Sequence, residues 1–316
     1  MTGPGRADVA PMVSAVIPTV GRPTLVRAVQ SALSQSWSNM EVIVSVDGGR
    51  HLVDGLDLPD DPRLRIIASD SHVGGQKARG RAIAESSGEF IALLDDDDVW
   101  LPTKIESQVA IAMRRRHDGA QHVLIACRSE VVLPDGQRVR TNPRRLPSPG
   151  ESIPKYLFER HQITPGETEI CSSMLLFDRA LADIVPLDVS LPNHDDWNWL
   201  LSVHLRTATS AEFSPDSLLR YTQNPAGVSV SSSSKSSSST DWFLDQRENL
   251  TAREFGDAIL CHSVPLALQH REWKAAGSLV GMSLKKGSPG LPALTFVFLL
   301  GVRSLFRSGF RSSRTP

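Results

Sequence analysis

The first hundred residues alternate short apolar runs with stretches in which apolar positions recur every three or four residues. Residues 13–17 form a β-rich run closed by Pro18. From Pro23 onward, Leu25, Val26, Val29, Ala32 and Leu33 fall at the spacing of a helix with one buried face. Residues 41–46 predict a second strand, ending at Asp47-Gly48-Gly49. Residues 64–68 predict a third, which leads through His72-Val73-Gly74-Gly75 into a helix over 76–85. A fourth strand, 89–94, runs directly into four aspartates, Asp95 to Asp98. This spacing predicts an α/β fold with a mostly parallel central sheet flanked by helices and right-handed crossovers. Ligands in such sheets gather beyond the carboxyl ends of the strands, which is where Asp47 and the four aspartates fall.

Beyond Arg116 the pattern is mixed. Residues 122–128 and 171–177 predict strands, and 135–151, rich in Pro, Gly and Arg, a loop or β-excursion. A helix is expected to begin near Pro192 or Asn193 and to run through Trp199 to His204, and the last core strand is expected over 218–222. Residues 229–239 are almost all serine, which predicts a mobile segment acting as a lid over the acceptor, followed by C-terminal helices. No internal repeat is visible.

Composition removes several classes. With 34 basic against 35 acidic residues, no global field recommends a nucleic-acid partner. Cys127, Cys171 and Cys261 are widely spaced and form no CxxC pair, which fits a reduced, cytoplasmic protein better than a disulfide framework or a zinc site. Residues 1–11 lack the apolar core of a signal peptide. The histidines are scattered, and there is no Gly-x-Ser-x-Gly elbow, Cys/His pairing or Walker loop. The far end departs from this balance. After Glu272 there is no acidic residue, whereas Lys274, Lys285, Lys286, Arg303, Arg307, Arg311 and Arg314 accumulate around an apolar stretch, 291–302, too short to span a bilayer comfortably. It reads as an interfacial helix on an anionic membrane surface, the alternative being a helix docked on the protein's own core.

A strand that ends in a block of like charge stores repulsion that a divalent cation relieves, and oxygen-only ligands suit Mg²⁺ or Mn²⁺. If the extended backbone continued through the block, Asp95 and Asp97 would point to one side. The plainer reading is a solvated turn in which one aspartate caps a helix beginning near Pro102.

Taken in order, the motifs resemble family 2 glycosyltransferases. They are Val16-Ile17-Pro18-Thr19 followed by Arg22, Ala32-Leu33-Ser34-Gln35-Ser36-Trp37, Glu41 to Gly48, Gly75-Gln76-Lys77-Ala78-Arg79-Gly80, Leu94 to Pro102, and His194-Asp195-Asp196-Trp197-Asn198-Trp199-Leu200-Leu201. The resemblance covers roughly residues 12–225 and implies the nucleotide-sugar-binding GT-A fold with a C-terminal helical extension. It divides the chain into a nucleotide-sugar-binding half (12–115), an acceptor-binding half (116–225) and an extension (226–316).

The resemblance also implies roles. Asp47 would accept a hydrogen bond from the nucleotide base, although Val46 stands where many relatives carry a first aspartate, so strict uridine preference is not implied. Thr19 and Arg22 would lie near the nucleoside, and Arg79 at the diphosphate. Asp95 and Asp97 would form the D-x-D pair, Asp97 as direct metal ligand and Asp95 at the ribose or a metal-bound water, with Asp96 beside them on the donor side. Asp196 aligns with the catalytic carboxylate that takes a proton from the acceptor, Asp195 replaces the more usual Glu, and Trp197 lies on the acceptor side. Each has a plainer reading. Asp47 suits a turn, Arg22 and Arg79 suit surface charges, Asp195 and Asp196 suit a helix N-terminus, and Trp197 and Trp199 suit a core.

The function implied is inverting transfer of a sugar from a nucleotide donor, UDP- or dTDP-linked, to a hydroxyl of a cell-surface glycan, lipid-linked saccharide or glycosylated metabolite. Mg²⁺ or Mn²⁺ would serve as cofactor in a cytoplasmic enzyme with peripheral membrane contact. A sugar nucleotidyltransferase and a non-catalytic nucleotide- or carbohydrate-binding module remain as alternatives. Against the first, Pro18-Thr19-Val20-Gly21-Arg22 makes a poor Gly-rich signature loop.

Overall fold

The computed structural model describes residues 10–133, 136–188, 191, 194–222 and 235–309, the backbone alone being described for 305–309. Two compact units are present. The first comprises 1–141, 170–190 and 195–223, the second 142–169, 191–194 and 224–316. Residues 142–169, which the sequence assigns to an acceptor-side half, group with the C-terminal helices.

Among the described residues the first unit is built on a sheet of nine strands: β1 (Val13–Thr19), β2 (Met40–Val46), β3 (Leu64–Ala68), β4 (Phe90–Leu93), β5 (Val99–Trp100), β6 (His122–Val132), β7 (Val139–Asn142), β8 (Leu176–Asp178) and β9 (Thr209–Thr222). Their order is β3-β2-β1-β4-β8-β6-β9-β5, with β7 against β6. The flank β3-β2-β1-β4 is parallel, as its spacing predicts, and β8 joins antiparallel to both β4 and β6. Strand β1 pairs on both edges, and Val13, Ala15, Val16 and Ile17 are all fully buried, which is why it reads as an unbroken apolar run. Helix α1 (Leu25–Leu33) buries Leu25, Ala28, Val29 and Ala32 at the predicted spacing. Helix α2 (Gly75–Ala84) and α3 (Lys104–His117) follow β3 and β5.

Three expectations change here. Residues 171–177 are not one strand, because a 3₁₀ turn at Ser172–Met174 precedes the short β8 and turns Ser173 to accept a bond from the Asp95 N–H. Strand β9 begins nine residues before the predicted start. Its pairing with β6 shifts register around Ser214-Pro215-Asp216, where a proline without an N–H masks the strand in the sequence. The predicted helix begins at Asp195 (Asp195–Arg206), while Pro192 and Asn193 lie outside the described residues.

The second unit is helical. It holds Ile153–Phe158, Ser236–Asp245, Ala252–Ala258, a π-turn at Ile259–Ser263 continuing into Val264–Gln269, then Trp273–Lys286 and Leu291–Gly309. Phe158 meets Phe243 edge-on at 5.5 Å, and Trp242 lies 5.0 Å from Phe243. The lid expectation fails for Ser236 to Ser239, which are helical. Ser239 is fully buried and hydrogen-bonded to His194 Nε2 at 2.8 Å, and Ser236 donates to Glu272. Burial of the adjacent Trp242 and Phe243 holds this serine-rich turn in place. Residues 229–234 lie outside the described residues.

Candidate active site

The sequence-predicted residues converge at the carboxyl ends of β1, β2 and β4, all within the first unit. Past Leu93 the extended backbone stops. Asp96 and Asp97 form a turn closed by a bond from Asp98 N to the Asp95 carbonyl at 3.1 Å, so strand alternation does not govern the block. Nor does an aspartate cap α3, whose N-cap is Thr103, without a side-chain bond.

The turn gives each carboxylate a different environment. Asp96 is 4 % exposed, accepts from Thr19 Oγ1 at 2.5 Å and pairs with Arg22 at 3.0 Å. Burial pushes its carboxyl above the usual aspartate range, outweighing the Thr19 bond and the Arg22 charge. Thr19 and Arg22 therefore anchor the acidic turn, and Gly21, at φ +85°, provides the tight reversal between them. Asp97 is about a third exposed and lies 3.3 Å from the same Arg22 nitrogen. Burial, and then repulsion from Asp95, raise its carboxyl as well.

Asp95 accepts from Arg79 Nη2 at 2.7 Å. The guanidinium is only 6 % exposed and its Nη1 meets Gln76 Oε1 at 2.8 Å and Asp195 Oδ2 at 3.3 Å. Burial disfavours its charge, but Asp95 and Asp195 outweigh that and hold it protonated. One buried arginine thus joins the acidic turn to the start of the Asp195–Arg206 helix.

At that start, burial opposed by Arg79 raises Asp195. Asp196 has only the Trp197 N–H as a described hydrogen-bond donor, at 2.9 Å, and is pushed up to about 7 by burial and the Asp195 charge. The helix N-terminus favours anions, yet does not compensate for this crowding. Trp197 is half-buried here, while Trp199 is core, its indole N–H bonded to the Val185 carbonyl at 2.7 Å.

Asp47 follows β2, 4 % exposed, and accepts from Val73 N at 2.6 Å and Gly74 N at 3.1 and 3.0 Å. It orders the loop that starts α2, where Gly74 at φ +100° adopts a conformation that side chains disfavour. A carboxylate offers about four acceptor directions, so these bonds leave room for one more donor.

Two contributors carry no role in the sequence reading. Ser173 fixes the Asp95 backbone and Gln76 steadies Arg79. The only signal for Ser173 was a pair of hydroxyls inside an apolar run.

Asp95 and Asp97 provide hard oxygen donors close enough to repel, and Arg22 already lies against Asp97 as a cation. No cluster of three or more ligating side chains occurs among the described residues. Mg²⁺ keeps several waters and binds through one or two carboxylates plus substrate phosphates, so this donor set fits it. A cavity of about 770 Å³ in this unit lies at the other end of the strands, beside Pro11, Gly88 and Asp178, and contains none of these residues.

Comparison with known proteins agrees with this geometry. The family model for glycosyl transferase family 2 matches residues 14–184, more than half of the chain. The chain is 32 % identical over 108 residues to the UDP-Glc:alpha-D-GlcNAc-diphosphoundecaprenol beta-1,3-glucosyltransferase WfgD of Escherichia coli, a stretch covering 33 % of this chain and 42 % of that protein. It is 35 % identical over 121 residues to the succinoglycan biosynthesis protein ExoO of Rhizobium meliloti, covering 37 % and 32 % respectively. The chain thus spans less than half the length of either relative. The crystal structure of S. aureus TarS 1-349 in complex with UDP-GlcNAc superposes with a TM-score of 0.51 at 15 % identity, over 87 % of this chain and 76 % of that one. The fold is of the GT-A type, and the chain belongs to glycosyl transferase family 2.

Proposed function

We propose that the chain is an inverting, cation-dependent glycosyltransferase of cell-envelope polysaccharide biosynthesis. It moves a sugar from a UDP- or dTDP-linked donor to a hydroxyl of a lipid-linked saccharide or related glycan. The observation that carries this reading is the Arg79 bridge, which holds a cation-suited acidic turn and a carboxylate of raised pKa in one site.

In this reading Asp196 accepts the proton of the acceptor hydroxyl as its oxygen attacks the anomeric carbon. The bond from that carbon to the diphosphate oxygen breaks on the opposite face, and its electron pair leaves with the nucleoside diphosphate. Asp97 and Asp95 would hold Mg²⁺ or Mn²⁺, which when bound neutralises charge on the diphosphate. Arg79 opposes the burial that raises Asp195, and the Asp195 charge raises the basicity of Asp196. Asp47, already fixing the Val73-Gly74 loop, has acceptor capacity left for a base N–H, and Thr19 and Arg22 hold the turn in shape. The names of WfgD and ExoO support a polysaccharide setting and a donor and acceptor of this type. In this reading a lipid-linked acceptor brings the enzyme to a membrane surface.

The test is a thermal-shift screen of UDP- and dTDP-sugars with and without Mn²⁺, followed by product analysis. A binding donor raises the melting temperature by mass action. Release of nucleoside diphosphate with an acceptor supports the reading. Pyrophosphate release supports sugar nucleotidyl transfer, and binding without turnover supports a binding module.

A further inference from the structure

The second unit carries a surface that the transfer chemistry does not use. On the helix Leu291–Gly309, Leu291 is 76 % and Phe298 69 % exposed, and with Leu299 and Val302 they fall within about a quarter of the helix circumference at 100° per residue. The opposite side is turned inward, with Ala293 fully buried and Phe296 under the Arg160 guanidinium at 3.6 Å. The helix Trp273–Lys286 repeats the arrangement. Exposed Trp273 and Leu284 lie eleven residues apart and therefore on one side, while Ala276, Leu279 and Ser283 are buried on the adjoining flank. Lys274, Lys285 and Arg303 border these apolar stripes. From Trp273 to the end, the sequence has seven basic residues and no acidic one.

We infer that these two helices form an in-plane docking surface for a bilayer containing anionic lipid. Exposed leucine and phenylalanine flanked by lysine and arginine match the acyl and headgroup layers, and tryptophan favours the boundary between them. The charge excludes a second copy as the natural occupant, since a two-fold interface would set the same acid-free patch against itself. Among the described residues no helix is long and apolar enough to cross a membrane, so the contact is lateral. This inference stands apart from the reaction at Asp97 and Asp196.

The test is cosedimentation of the full chain with vesicles of phosphatidylcholine alone and of phosphatidylcholine with phosphatidylglycerol. Binding to the mixed vesicles, weakened by added salt and nearly absent with phosphatidylcholine alone, is expected. Combined Lys274→Glu, Lys285→Glu and Lys286→Glu substitution is expected to reduce the partition coefficient at least on the order of a hundredfold, from the electrostatic contribution of each basic residue. Phe298→Ser and Leu291→Ser are expected to abolish most binding while leaving the circular dichroism spectrum and the melting temperature unchanged. No binding to the anionic vesicles, or equal binding by wild type and both variant sets, overturns the inference. So does a concentration-dependent dimer in sedimentation velocity that Phe298→Ser converts to monomer without any vesicle binding by the wild type.

Discussion

Two pairs of aspartates in this protein differ by what neutralises them. At the turn, Asp96 is enclosed by Thr19 and Arg22 and Asp97 shares that arginine, so the block is bound to fixed partners yet still open on the Asp97 side. At the helix start, Asp195 has Arg79, while Asp196 has one backbone N–H and a charged neighbour. The difference separates two kinds of carboxylate. One is half-open, held by fixed cationic partners against burial and the repulsion of its neighbours, and the other is buried beside a like charge and pushed up to about 7. Arg79 belongs to both, which couples them.

Predictions follow from breaking that division, beginning with the largest effect. Asp196→Asn removes the proton acceptor and is expected to lower the transfer rate by about 10³-fold, while leaving donor binding intact. It is also expected to raise the melting temperature slightly above pH 7. The folded-state pKa of Asp196 is raised, so its contribution to stability is full at low pH and lost as pH rises through about 7, and Asn escapes that loss. Asp97→Ala is expected to reduce turnover by about a hundredfold or more and to erase the response to Mn²⁺, read from initial rates with and without the ion.

Arg79→Met leaves Asp95 and Asp195 without their shared partner. The expected loss of stability is about 3 kcal/mol, read from denaturant unfolding, with Arg79→Lys recovering only part because an ammonium cannot serve two carboxylates as a planar fork does. For wild type, kcat/KM is expected to climb as Asp196 ionises and level off above about pH 7. Asp195→Asn removes the like charge and should move that limb to lower pH. An unmoved limb would assign the ionisation elsewhere. The smallest effect belongs to Ser173→Ala, which removes the partner of the part-buried Asp95 N–H. A loss of about 1–2 kcal/mol in stability and a raised donor KM are expected.

The parallel flank was legible because β1 to β4 carry near-continuous apolar runs with turn residues between them, and α1 a clean helical stripe. Strand β9 was not, since Pro215 interrupts its pattern and only pairing with β6 sustains it through the register shift. The site was legible as residue types at strand ends. Asp95, Asp97, Arg79 and Asp196 were all named from motifs, and their roles as ligand or base stay proposals. What the sequence could not carry was partnership across long separations. Arg79 and Asp195 are 116 residues apart, and Asp95 and Ser173 are 78 apart. Such pairings depend on how β4, β8 and the helices meet. The serine tract illustrates the converse, since composition suggested mobility where burial of Trp242 and Phe243 imposes a helix on its last residues.

The division of labour between the two acidic pairs is tested most directly by calorimetric titration of UDP, with and without Mn²⁺, into Asp97→Ala and Asp196→Asn side by side. The account predicts that Asp97→Ala loses the Mn²⁺-dependent gain in affinity and that Asp196→Asn keeps it at the wild-type value. Equal affinities in both variants, or loss in Asp196→Asn alone, would contradict it.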